Sequence, residues 1–318
     1  MREKRNHSVR SSVLQSREPR KKYFLVYEGI ETEPIYFDAL KTCTKYSRIN
    51  PLIDMVPIIK GITKKGLSNP KRLIDGFLAD LEASQAGSVT YNTLIDCIVE
   101  NACPDQMSDK SLCNILKAIC TSSLNIKDLD SAIPKGDINS ICSKIEEESE
   151  LVRLVETIPD IIKEYSITFD SQYDCIGFII DRDRDSFIAR EGNNQYQYVL
   201  NKCIEKNFGF FITNPCFEYW LLLHFEEAND LDKELLLSNP KINANGEPSK
   251  NGKRYTEREL KKLLPGYKKS CFKADLLMPK IDLAIQNEEA GCEDVQKLEY
   301  TVGSRIGILI QELRGCNE

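Results

Sequence analysis

The chain has 318 residues, 41% of them hydrophobic, and a formal net charge of −6; that is enough apolar content for one large domain or two with a real core. No run approaches the roughly 20 continuous apolar residues of a membrane span, and the basic, Ser-rich residues 1–22 lack the apolar stretch of a secretory signal, so a cytoplasmic globular protein with no membrane partner is expected. The twelve cysteines include no CxxC pair and read as reduced thiols, while two histidines, one of them His7 in the basic arm, leave little room for a histidine-pair acid/base mechanism.

After the arm, residues 23–27 (YFLVY) form a short β-rich apolar run that ends in Glu28-Gly29. Thr32 is placed to cap a helix starting at Glu33-Pro34, because a threonine hydroxyl satisfies orphan amides and proline suits the first helical position. Tyr36, Phe37 and Leu40 follow at helical spacing and read as core. A second strand is expected at 55–59 and a helix at 69–82, so residues 23–84 make the first half of an α/β core. From 85 to 166 the apolar residues recur at helical intervals between polar breaks, which predicts a helical insertion.

The core resumes over 167–230. Residues 175–181 (CIGFIID) read as a buried strand of a parallel sheet, running straight into Arg182, Asp183, Arg184 and Asp185. A helix over 194–207 and a strand over 208–213 follow, then Asn214 as N-cap and Pro215 as the first residue of an apolar helix over 216–225, with Glu218 in its first turn. In that helix Trp220 reads as a core anchor and His224 as a hydrogen-bonded core histidine. Residues 231–318 are basic and mostly helical, with helices expected at 256–264, 276–289 and 302–313.

Strands alternating with helices predict a mainly parallel sheet with helices on both faces, and Glu28, Asp181 and Asn214 then share its carboxyl edge, where open α/β sheets bind ligands. The DRDRD run does not fit a calcium loop, since Ser186 stands where glycine is needed and Gly192 where a bidentate glutamate is needed. A phosphatase that uses the first aspartate as nucleophile would carry a threonine or valine at Asp185. Two readings stay open beside it. One is a Mg²⁺ or Mn²⁺ site held by Asp181 and Asp183, with Glu28 as ligand or acid/base for phosphodiester chemistry; the other is an acidic turn neutralised by Arg182 and Arg184. Basic residues gather at 60–72, including Lys64 and Lys65, and at 250–273, including Lys261, Lys262, Lys268 and Lys269. They either line a positive channel for nucleic acid or decorate solvated helix faces, and Arg182 and Arg184 are counted with them as candidate contacts to nucleic-acid phosphates.

Three blocks carry a family resemblance: residues 24–37 (FLVYEGIETEPIYF), residues 178–183, and residues 213–225 (TNPCFEYWLLLHF), joined by shorter matches at 266–269, 284–285 and 301–307. They resemble the RloB family, which includes the AbiLii type of abortive-infection protein. The resemblance implies a Toprim-like Rossmannoid α/β fold, in which a glutamate follows the first strand and a DxD the third. It also implies a Mg²⁺- or Mn²⁺-dependent nuclease acting on DNA or RNA in anti-phage defence, with an AAA- or ABC-type ATPase as partner. Carried over by position, Glu28 is the acid/base and Asp181 and Asp183 are the ligands, with Glu31, Glu33, Asp185 and Glu218 in second rank. The insertion departs from the compact family pattern. The competing reading is a non-catalytic subunit that binds nucleic acid or an ATPase, and self-association into a homo-oligomer stays open.

Overall fold

The computed structural model of the protein describes residues 20–58, 69–85, 89–101, 109–134, 137–149, 151, 169–183, 187, 194–243 and 245–315. Its strands, in chain order, are β1 (Lys21–Tyr27), β2 (Ile53–Ile58), β3 (Val89–Thr90), β4 (Ala132–Ile133), β5 (Cys175–Asp181), β6 (Gly209–Asn214), β7 (Lys241–Ile242), β8 (Lys253–Arg254) and β9 (Gly303–Ser304). The principal sheet is five-stranded in the order β2-β1-β5-β6-β9. Its first four strands are parallel, and β9 pairs antiparallel with the end of β6. The fold is therefore α/β with a mostly parallel, Rossmannoid sheet.

The strand sequences are apolar at nearly every position because both faces are covered. Side chains alternate across a strand, so Tyr23, Leu25 and Tyr27 of β1 enter one core with Ile179 and Phe211. Phe24 and Val26 enter the other, with Ile176, Phe178, Ile180 and Ile212. The helices Pro70–Gln85 and Gln195–Lys206 cover the second face. The helices Thr32–Thr42, Phe217–Leu222, Ile281–Glu289 and Ile306–Arg314 cover the first.

Trp220 lies at the centre of that first core, 0% exposed, edge-on to Tyr36 and His224. His224 is a core histidine. Its Nδ1 lies 3.1 Å from the Trp220 carbonyl, which can only accept, so Nδ1 carries the proton and Nε2 accepts from the Tyr36 hydroxyl at 3.1 Å.

The insertion builds a core of its own, with Leu94, Ile98, Leu116 and Ile145 buried among the helices Tyr91–Asn101, Asp109–Ala118 and Ile138–Ser149. It also contains an antiparallel β3–β4 pair, which helical periodicity does not announce.

Other expectations need correction. Asn214 is not a helix cap: it ends β6, and its Nδ2 donates to the Leu298 carbonyl at 2.7 Å, while the helix starts at Phe217 with Cys216 as N-cap. Pro215 stands outside the helix, after a cis peptide bond. The helix expected from 276 starts at Ile281, after two 3₁₀ turns. The segment expected as helix from 302 first supplies β9. No helix among the described residues is long and apolar enough to cross a membrane.

Candidate functional site

The carboxyl edge of the sheet gathers the acids. Just past β1, the Glu28 amide continues the ladder by donating to the Ile179 carbonyl at 3.1 Å, and its carboxylate accepts the Asp181 backbone N–H at 3.2 Å. Glu28 and the end of β5 are thus joined directly. The chain then turns through Gly29, where a Cβ would collide with the Glu33 carboxylate. Glycine here lets Glu33 fold back over the turn from the first residues of the helix Thr32–Thr42. That helix has Glu31 as its N-cap residue, not Thr32; the Thr32 hydroxyl instead donates to the Lys269 carbonyl at 3.3 Å. Loop 29–33, Asp181, Phe217, Glu218 and Lys269 line a cleft of about 140 Å³.

The electrostatics of the cleft follow from crowding. Burial pushes the Glu33 carboxyl up to about 7, with the Glu218 charge adding to it and Lys269 opposing. Burial also raises Asp181 well above the usual aspartate range, reinforced by the carboxylates of Glu33, Glu28 and Glu218. Glu218 is only 2% exposed, and burial alone would raise it too. Its partner wins: Lys269 Nζ lies 2.8 Å from Oε1, the Tyr267 hydroxyl donates to the same oxygen at 3.2 Å, and the carboxyl is held below the usual glutamate range.

The acids differ in what they face. Asp183 sits farther out, half-exposed, 4.0 Å from Arg254 Nη2, and the carboxylates that weigh most on Asp181 are Glu33, Glu28 and Glu218. Glu33, ranked second by resemblance, is therefore at the centre of the cluster. The sequence signal for it was Gly29, four residues upstream. Glu31 is exposed on the cleft rim. Asp185, Arg184, Lys64 and Lys65 lie outside the described residues.

The basic residues are mostly engaged elsewhere. Arg182 is one residue past Asp181 and so points to the opposite face: it is buried, its Nε donates to the Glu299 carbonyl at 3.0 Å, and its guanidinium stacks 5.4 Å from Phe187 and 5.9 Å from Tyr196. The expectation that it contacts nucleic acid does not match that placement, because alternation at a strand end turns it into the core. Lys261 pairs with Glu257 at 2.6 Å and Lys262 with Glu259 along the helix Tyr255–Leu263. Lys268 is exposed in the turn before Lys269.

Oxygen donors of this kind suit a hard divalent cation, and a cleft in which burial and the carboxylates of Glu33, Glu28 and Glu218 raise the proton affinity of Asp181 fits such a charge. Among the described residues, no three acids, histidines or cysteines already stand as a metal-holding set.

A family model described as RloB-like protein matches residues 110–313, more than half of the chain. No curated protein and no solved structure matches it.

Proposed function

Because the chain belongs to the RloB-like family, we propose that it is a Toprim-type nuclease that hydrolyses phosphodiesters of DNA or RNA with Mg²⁺ or Mn²⁺, in anti-phage abortive-infection defence alongside an AAA- or ABC-type ATPase. The observation that carries the reading is the bond from the Asp181 amide to the Glu28 carboxylate, at the mouth of a cleft shared with Glu33. It joins the end of the first strand to the end of β5, at the sheet edge where open α/β folds bind their ligands. Asp181 and Glu33 would hold the cation through their carboxylate oxygens, with Asp183, farther out beside Arg254, as a further candidate ligand. Glu28, oriented by the Asp181 amide, moves the proton of the attacking water at its carboxylate. When bound, the cation supplies charge stabilisation of the phosphate and a more acidic water.

The test is cleavage of plasmid DNA and of tRNA by the purified chain, with and without its ATPase, in Mg²⁺, Mn²⁺ and chelator. Wild type cuts only with metal, and Glu28→Ala and Asp181→Ala lower the rate at least about 10³-fold, roughly 4 kcal/mol of transition-state stabilisation. Equal rates in those variants contradict the mechanism.

One observation favours a second reading, a binding subunit without catalysis: the insertion folds around its own core, apart from the sheet. On that reading Glu28→Ala and Asp181→Ala leave the defence phenotype intact, and loss of the phenotype in both rejects it.

A further inference from the structure

Four polar side chains at the carboxyl edge commit their hydrogen bonds to one short segment, residues 298–300. Asn214 Nδ2 donates to the Leu298 carbonyl at 2.7 Å, and Arg182 Nε to the Glu299 carbonyl at 3.0 Å. Asn194 Nδ2 and Gln197 Nε2 each take one oxygen of the Glu299 carboxylate, at 2.8 and 3.0 Å. Leu298 is 0% and Glu299 5% exposed. Burying an arginine and a glutamate is costly unless both are hydrogen-bonded, so the bonds to residues 298 and 299 hold this backbone in place. The side chain it displays is Tyr300, 67% exposed.

Position separates Tyr300 from the other exposed tyrosines. Tyr46 lies in the short helix Thr44–Ser47 that precedes β2 and Tyr173 in the turn that leads into β5, both at the amino edge of the sheet. Tyr300 precedes β9, whose Gly303 pairs with Asn214 at the carboxyl end of β6. It therefore stands on the same edge as Asp181, across the sheet from the acidic cleft, on the side to which Arg182 points. An exposed ring on a pinned backbone needs little ordering when something stacks on it.

We propose that Tyr300 is a stacking platform for an unpaired nucleobase of the strand whose backbone enters the acidic cleft. The proposal rests on the nuclease reading and adds a substrate class to it: nucleic acid with single-stranded character at the edge of the site. Stacking on an aromatic ring tolerates any base and contributes about 1–3 kcal/mol, or roughly 5- to 150-fold in affinity. A duplex, whose bases are already stacked, gains little from it.

The test is fluorescence anisotropy with the full chain carrying Glu28→Ala, so that substrate survives, against labelled single-stranded DNA, single-stranded RNA and the corresponding duplexes. Tyr300→Ala weakens single-strand binding about 5- to 150-fold and leaves duplex binding within about twofold, while Tyr300→Phe binds single strands as the parent does. Tyr300 is exposed, so the alanine variant folds, and its melting temperature checks this. Unchanged single-strand affinity in Tyr300→Ala overturns the proposal, as does a loss equally large in Tyr300→Phe, which would assign the effect to the hydroxyl. If the wild type cleaves while Tyr300→Ala binds normally, only the stacking platform falls. If the chain neither binds nor cleaves nucleic acid, the nuclease reading falls with it.

Discussion

Asp181 and Arg182 are neighbours in sequence and end on opposite sides of the sheet, in two settings that could hardly differ more. On the Asp181 side, Glu33, Asp181 and Glu218 line a cleft beside Glu28, and burial together with repulsion from neighbouring carboxylates raises the proton affinity of Glu33 and Asp181. On the Arg182 side, the guanidinium, the Glu299 carboxylate, Asn194 and Gln197 form a buried network bonded to its own backbone and amides. The contrast follows from a two-residue period at a strand end. Charge left uncompensated in a cleft is available for a cation and for chemistry, whereas charge satisfied in a core holds the edge in place. A single acidic-basic run thus divides into a reactive half and a structural half.

The division makes predictions of graded size. Arg182→Met breaks a buried charge network and should cost about 3–5 kcal/mol of stability, read as a lowered midpoint in urea. If Arg182 instead acted on substrate from the surface, its loss would weaken nucleic-acid binding with stability changed by less than about 1 kcal/mol.

A second test concerns the packed layer behind the acidic cleft. Burial holds the His224 imidazole down at about 3, against an ordinary 6.5. Between those values the unfolded chain binds a proton that the folded chain refuses, so stability falls as pH drops from about 6.5 towards 3 and levels off below. The slope is at most about 1.4 kcal/mol per pH unit. Glu33 and Glu288 are both raised to about 7; they bind protons more readily when folded, so their stability contribution falls as pH rises from about 4.5 to 7 and opposes the histidine. The difference between wild type and His224→Gln isolates the histidine: the wild type should lose roughly 2–3 kcal/mol more than the variant between pH 6.5 and 4.5. Parallel stability curves would mean that His224 is protonated in the folded state.

The smallest effect is expected at Gly29. A Cβ there meets the Glu33 carboxylate, so Gly29→Ala should swing Glu33 out of the cleft and slow cleavage about 10-fold, roughly 1.4 kcal/mol, with the melting temperature little changed. A fall in stability without a fall in rate would place Glu33 outside the reactive half.

Much of this was legible in the sequence because the strands are buried on both faces and so read as continuous apolar runs; YFLVY and CIGFIID place Glu28 and Asp181 at strand ends without further help. The two-residue β9 was not, since Gly303 and Ser304 carry no apolar pattern and pair only because β6 offers an open edge. Asn214-Pro215 looked like a helix start because its residue types suit one, yet the Leu298 carbonyl claims the asparagine side chain. Glu33 was underrated because its place depends on the missing side chain of Gly29, a contact of space and not of spacing. The inward turn of Arg182 was implicit in strand alternation, but arginine beside two aspartates reads first as their local counter-charge.

The central claim, that the Asp181 side is the reactive half, is tested most directly by Mn²⁺ binding followed by electron paramagnetic resonance on wild type and Asp181→Asn, each shown to be folded. Wild type is expected to bind Mn²⁺ saturably and Asp181→Asn to lose at least about 10-fold in affinity, comparable to losing one ligand or its support. Equal Mn²⁺ affinity in the two proteins would contradict the claim.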